Sequence, residues 1–232
     1  MTETAPAHQL LHLGVLADSR KADERRLPIH PAHLERIDPD LRRAMTLERG
    51  YGARFGVPDD QLEPLVGAMA DRDEVIATAD VVLLPKPLPS DLADLRDGQV
   101  LWGWPHCVQD RELTQLAVDK RLTLIAWEAM NHWRDDGGFG LHVFHKNNEL
   151  AGYCSVIHAL QLCGSTGDYG RRLTAVVIGF GATARGAVTA LVLHRGLADA
   201  AVALLPGALQ VAHAVAKVGL GVEEGFRRSV EA

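Results

Sequence analysis

The chain has 232 residues, 47% hydrophobic and 23% charged, with 22 glycines and a formal charge of -6. It is long enough for one large or two modest domains, and its composition is that of an ordinary soluble α/β protein. The negative balance gives no field that would hold nucleic acid or an anionic membrane, which leaves a small molecule as the expected partner. Cys107, Cys154 and Cys163 are odd in number and lack CxxC spacing, so they indicate neither a disulfide framework nor a zinc site. The opening "MTETAPAHQLLHLGVLAD" has no basic region and only a short apolar run broken by histidines. It reads as neither signal peptide nor membrane anchor, and a cytoplasmic protein is expected.

Apolar runs recur with helical patterns between them, the rhythm of parallel βα units. Strands are predicted at 11–17, 44–48, 81–85, 100–104, 122–127, 174–180 and 201–205. "PAHLERI" begins with proline at a first-turn position, and "DRELTQLAVDK" places Asp110 at an N-cap with acids in the opening turn, so both predict helices. The polar, glycine-containing stretch 134–147 is read as a boundary. Residues 149–164 follow as a linking helix and 165–172 as the loop into the next strand. The expectation is an α/β chain in three parts: an N-terminal lobe of parallel βα units over 1–145, a linking helix and loop over 146–170, and a partial Rossmann lobe over 171–232.

"VVIGFGATARG" (176–186) carries the most local chemistry. Its "GFGATA" fits G-x-G-x-x-A, in which Gly179 permits the tight turn and Gly181 lets backbone approach a pyrophosphate. Ala182 and Thr183 open the helix whose amides would face that pyrophosphate, and Ala184 allows close helix packing. NAD or NADP is the expected cofactor, with a small-residue turn that holds no ligand as the alternative. The next strand runs into Leu205-Pro206-Gly207, without the acid or arginine that would bind the adenosine ribose, so the choice between NAD and NADP stays open. His142 and His145, with His132 nearby, are a poor metal signal without a carboxylate partner, and no metal is expected. Hydrolase and phosphoryl-transfer motifs are absent. Tryptophans 102, 104, 127 and 133 read as core and cleft-wall residues.

Several stretches together resemble the alanine dehydrogenase and pyridine nucleotide transhydrogenase family, which includes lysine-forming saccharopine dehydrogenase and carboxyethylornithine synthase. These are "LGVLADSRKADERRLPIHP" (13–31), "ADVVLLPKPLPSDLADLRDGQVLWGWPH" (79–106), "LTLIAWEAM" and "NNELAGY". The similarity runs to about residue 195. It implies a substrate lobe with an inserted Rossmann lobe and the substrate between them. It also implies roles: Arg26 matches the arginine that clamps the substrate carboxylate, Lys86 the lysine at its carboxylate or carbonyl end, His106 the histidine of proton transfer, and Glu128 the strand glutamate beside the substrate.

The residue types suit that chemistry. A guanidinium grips a carboxylate bidentately, a lysine polarises a carbonyl, and a histidine exchanges protons near neutrality. Each also has a plainer reading. Arg26 lies in the charge run "DERRLP", where Arg25 is an alternative; Lys86 sits in a stiff "PKP" turn; His106 follows a strand directly. The combined expectation is a nicotinamide-dependent amino-acid or imine oxidoreductase acting on a small amino acid or 2-oxo acid, with bulky Trp102 and Trp104 marking a pocket unlike that of plain alanine dehydrogenases. A homo-oligomer stays open. The resemblance also leads us to expect a chain shortened at its C-terminus, lacking the family's catalytic aspartate and the second half of the nucleotide lobe. A truncated homologue that binds a ligand or partner without turnover is therefore the alternative.

Overall fold

The structure is a computed structural model that describes residues 10–164, 173–193, 197–204 and 212–214. It divides into two compact units between Met130 and Asn131. The loop expected at 165–172 and most of the tail lie outside the described residues.

The first unit is built on a six-stranded sheet of β1 (Leu13–Val15), β2 (Met45–Glu48), β3 (Ala68–Ala70), β4 (Val81–Leu83), β5 (Val100–Gly103) and β6 (Thr123–Ala126). Every pairing is parallel and the order is β3-β2-β1-β4-β5-β6. The chain thus winds outward from β1 in one direction and from β4 in the other. Their boundary is a topological switch point, where the carboxyl ends of neighbouring strands open a crevice.

Short helices connect the strands: α1 (Pro39–Arg43), α2 (Asp59–Leu62), α3 (Arg72–Thr78), α4 (Pro89–Asp94) and α5 (Arg111–Asp119). Asp110 caps α5 as expected, its side chain accepting from the Leu113 amide at 2.9 Å. "PAHLERI" instead forms a 3-10 segment, Pro31–Arg36, stopped at Ile37 in extended conformation. The core gathers Val82 and Leu101 of the sheet, Leu16 and Leu84 just past β1 and β4, Val75 and Ile76 of α3 with Ala79 at its C-cap, Leu92 of α4, and Leu113 and Ala117 of α5. Gly14 is where α3 presses closest, since a Cβ there would stand 2.7 Å from Val75 and Ala79. β3 was not legible from the sequence, because its three residues, Ala-Met-Ala, carry neither β-branching nor alternation.

The second unit opens with an antiparallel hairpin of β7 (Asn131–Trp133) and β8 (Phe139–His142), whose turn and second strand fall inside the stretch 134–147 read as a polar boundary. Trp133 is 55% exposed and meets Phe139 edge-on, so of the core and cleft-wall readings given to the tryptophans it is not a core residue. Helix α6 (His145–Leu162) follows, starting four positions before the predicted 149, and then β9 (Leu173–Ile178), α7 (Ala182–Leu193) and β10 (Leu197–Leu204). β9 and β10 are parallel, as a Rossmann βαβ unit requires, while β11 (Ala212–Ala214) pairs antiparallel with β10. Helices α6 and α7 cross backbone on backbone. A Cβ on Gly152 would sit 1.8 Å from the Thr183 carbonyl oxygen, and one on Gly186 1.7 Å from that of Glu149.

Candidate active site

The sheet delivers four loops to one edge. Arg26 follows β1, Lys86 follows β4, His106 follows β5 and Glu128 follows β6, so all four expected residues leave the carboxyl ends of adjacent strands. Three of them belong to one chain of contacts. The Arg26 guanidinium lies over the Trp104 ring, 4.5 Å from its centroid, and Trp104 stands edge-on to Trp127 at 4.4 Å. Glu128, next to Trp127, accepts the His106 amide at 2.6 Å, with its Oε1 3.5 Å from His106 Nδ1. Trp127 is buried, whereas Arg26, His106 and Glu128 keep part of their side chains open to ligand.

Lys86 joins this group through backbone. The Trp104 amide donates to the Pro85 carbonyl at 2.8 Å, and Ser19 Oγ donates to the Lys86 carbonyl at 2.5 Å. These bonds tie the exit of β4 to those of β5 and β1. Gly103 makes the first approach feasible, because a Cβ there would lie 1.9 Å from the Leu84 carbonyl oxygen. A glycine inside a strand commonly marks such a close passage.

His106 has φ 49, in the left-handed region that non-glycine residues rarely occupy. Its backbone is fixed on both sides: the Glu128 carboxylate accepts the histidine's own amide, and the His106 carbonyl accepts the amides of Gln109 at 2.8 Å and Asp110 at 3.1 Å. Sequence reading put Glu128 beside the substrate; the geometry joins it directly to His106.

A charged network anchors the loop after β1. Asp91, 1% exposed, accepts from the Leu88 amide at 2.8 Å, the Arg20 amide at 3.2 Å and Arg72 Nη2 at 2.7 Å. Arg72 Nη1 donates in turn to the Asp18 carbonyl at 2.7 Å, and Glu48 accepts the Ala17 amide at 2.7 Å. Burial pushes the Glu48 carboxyl up, outweighing the Ala17 hydrogen bond and the Arg72 charge. Arg26 itself is held by an acid that sequence reading missed, the buried Glu24, two residues before it.

In the second unit Gly179 has φ +99, which the expected tight turn needs, and nothing stands within 4 Å of a Cβ built on Gly181. The turn is therefore open to close approach, and Ala182 begins α7 with Thr183 and Ala184 in its first turn. A pyrophosphate fits there, against glycine backbone and a helix N-terminus. Close backbone contact of α7 with α6 is made at Thr183 and Gly186. Among the described residues no group of His, Cys, Asp or Glu is arranged for a metal, and no helix is long and apolar enough to cross a membrane.

Comparison with known proteins completes the picture. The family model described as "Alanine dehydrogenase/PNT, N-terminal domain" matches residues 14–151, more than half of the chain. N(5)-(carboxyethyl)ornithine synthase of Clostridium botulinum is 24% identical over 191 residues, covering 78% of this chain and 58% of that protein. Alanine dehydrogenase of Methanococcus maripaludis is 30% identical over 113 residues, 47% of this chain and 30% of that protein. A solved L-alanine dehydrogenase superposes with a TM-score of 0.59 at 20% identity, over 76% of this chain and 50% of that one. This chain thus spans little more than half the length of the first of these relatives. With the parallel sheet, the residues at its carboxyl edge and the matched region in agreement, the chain belongs to the alanine dehydrogenase/PNT family.

Proposed function

We propose that this protein is a nicotinamide-dependent oxidoreductase that interconverts a 2-oxo acid plus an amine with the corresponding amino acid or N-substituted amino acid. The observation that carries the reading is the convergence of Arg26, Trp104, His106 and Glu128 at the carboxyl edge of β1, β5 and β6, beside the switch point. It is supported by the family and by the names of the relatives, which are those of amino-acid-forming or amino-acid-oxidising enzymes. Those names also weigh against a ligand-binding protein without turnover.

In this reading the first unit is the substrate lobe. Arg26 anchors the substrate carboxylate and Lys86 stands at its carboxylate or carbonyl end, which together orient the reacting carbon. In the forming direction the amine adds to the carbonyl and water leaves, giving an imine. His106 supplies and removes protons at the carbinolamine and amine nitrogen, aimed by Glu128. Reduced nicotinamide, when bound, would supply a hydride to the imine carbon. Gly179, Gly181, Ala182, Thr183 and Ala184 would hold the pyrophosphate of NAD or NADP, and the second unit is then the nucleotide lobe. Trp104, backed by the buried Trp127, would form an aromatic wall beside the substrate, and the relative named N(5)-(carboxyethyl)ornithine synthase supports an amine larger than ammonia.

The test is oxidation of NADH or NADPH with pyruvate and either ammonium or ornithine. The proposal requires oxidation that depends on both the oxo acid and an amine, faster with ornithine. Oxidation by pyruvate alone, or none with any pairing, would contradict it.

A further inference from the structure

Glu24 is 7% exposed, and its carboxylate is fully committed. Oε1 accepts from the amides of Arg25 at 3.1 Å and Arg26 at 2.9 Å and from Arg26 Nε at 2.8 Å, while Oε2 accepts from Arg26 Nη2 at 2.5 Å. The buried acid therefore takes the side edge of the guanidinium, formed by Nε and Nη2. The Trp104 ring lies against the plane of the same group. With one edge and the plane both fixed, the end edge, formed by Nη1 and the second proton of Nη2, is left for a ligand. Among the described residues Nη1 has no hydrogen-bond partner, and the Arg26 side chain is 44% exposed.

We propose that Glu24 is a positioning residue that makes Arg26 a one-edged receptor, presenting its end edge to the carboxylate of a 2-oxo acid or amino acid. This rests on the reading of Arg26 as the carboxylate anchor. Holding the fork in advance removes the cost of immobilising a long side chain from the binding step. Burial alone would push the Glu24 carboxyl up, but the hydrogen bonds and charge of Arg26 outweigh it and hold it below its ordinary value, so the clamp stays charged at neutral pH. The negative charge of Glu24 also repels an anionic ligand, an effect that salt screens. Clamp and repulsion thus predict opposite consequences of removing Glu24.

The experiment is calorimetric titration of the full chain with pyruvate at about 0.15 M salt, where charge effects fade beyond about 8 Å. Wild type, Arg26→Ala, Glu24→Gln and Glu24→Asp are compared, each at a temperature where circular dichroism shows it folded. Arg26→Ala should lose binding. Glu24→Gln should weaken it about tenfold, and Glu24→Asp, which keeps the charge but is one methylene too short to reach Nε and Nη2, should weaken it by a similar factor. If Glu24→Gln fails to fold, the aspartate variant decides alone. Binding as tight as wild type or tighter in the folded Glu24 variants, with Arg26→Ala still losing it, overturns the positioning role and leaves the anchor standing. Equal behaviour of wild type and Arg26→Ala, whether both bind or neither does, overturns the anchor and the positioning role together.

Discussion

At the scale of single residues, His106 shows strain where the chemistry is proposed. A non-glycine residue in the left-handed region costs on the order of 1 kcal/mol, and such residues persist where their surroundings over-determine them. Here Glu128, bonded to the histidine amide, acts together with the Gln109 and Asp110 amides bonded to the histidine carbonyl. His106→Gly should therefore leave stability unchanged or raise it by up to about 1 kcal/mol, while turnover falls about 10²–10⁴-fold with loss of the proton carrier. Thermal melts and steady-state rates on the same preparations check this; a large loss of stability would show that the imidazole holds the loop rather than serving the reaction. The buried Glu24 and the half-buried Glu48 make a second residue-scale prediction. Glu24 is held below its ordinary value, so its stabilisation is present above an unfolded value of about 4.3 and disappears as pH falls through the folded one. Glu48 is raised, so its contribution is present below the unfolded value and is lost as pH rises through the folded one. Relative to wild type, the stability of Glu24→Gln should fall and that of Glu48→Gln should climb as pH rises from about 3 to 7. Urea unfolding across that range reads both slopes, and slopes of the same sign would contradict the assignment.

At the scale of elements, the exits of β4 and β5 act as one piece. The Trp104–Pro85 bond and the contact of Gly103 with the Leu84 carbonyl leave no room for a side chain between them. Gly103→Ala must push backbone against backbone and shift the segments bearing Lys86 and His106. The expected cost is about 3 kcal/mol, the upper end for overpacking, since a carbonyl cannot swing aside like a side-chain tip. Urea unfolding measures it, and a change below about 0.5 kcal/mol would mean that the two exits are not locked together. Gly181 offers the contrast, because a Cβ there meets nothing within 4 Å. Gly181→Ala should leave the fold intact and weaken only what approaches the turn, and calorimetry with NADH on a normally melting variant separates the two.

At the scale of the whole molecule, the strands of the first unit and the residues at their carboxyl ends were largely legible in the sequence. Long apolar runs flanked by proline and glycine mark buried parallel strands, and the proposed chemistry sits just after them. What escaped notice had weaker signals. The hairpin of β7 and β8 hid in a polar stretch, although Asp136-Gly137 is a turn pair, with Gly137 at φ 78 and the Asp136 side chain accepting the Gly138 amide at 2.8 Å. Glu24 looked like part of a solvated charge run, and only tertiary burial distinguishes it from Asp23 and Arg25. Trp104 was read as wall without its partner, because stacking on Arg26 joins loops 78 positions apart. In the proposed function Arg26 is a binding residue and His106 a group that moves protons in the transition state, so their variants should fail differently. Steady-state kinetics in the 2-oxo acid measures this most directly. Arg26→Ala should raise KM about 10–100-fold with a smaller change in kcat, and His106→Ala should lower kcat about 10²–10⁴-fold with KM little changed. An unchanged kcat for His106→Ala would contradict the account.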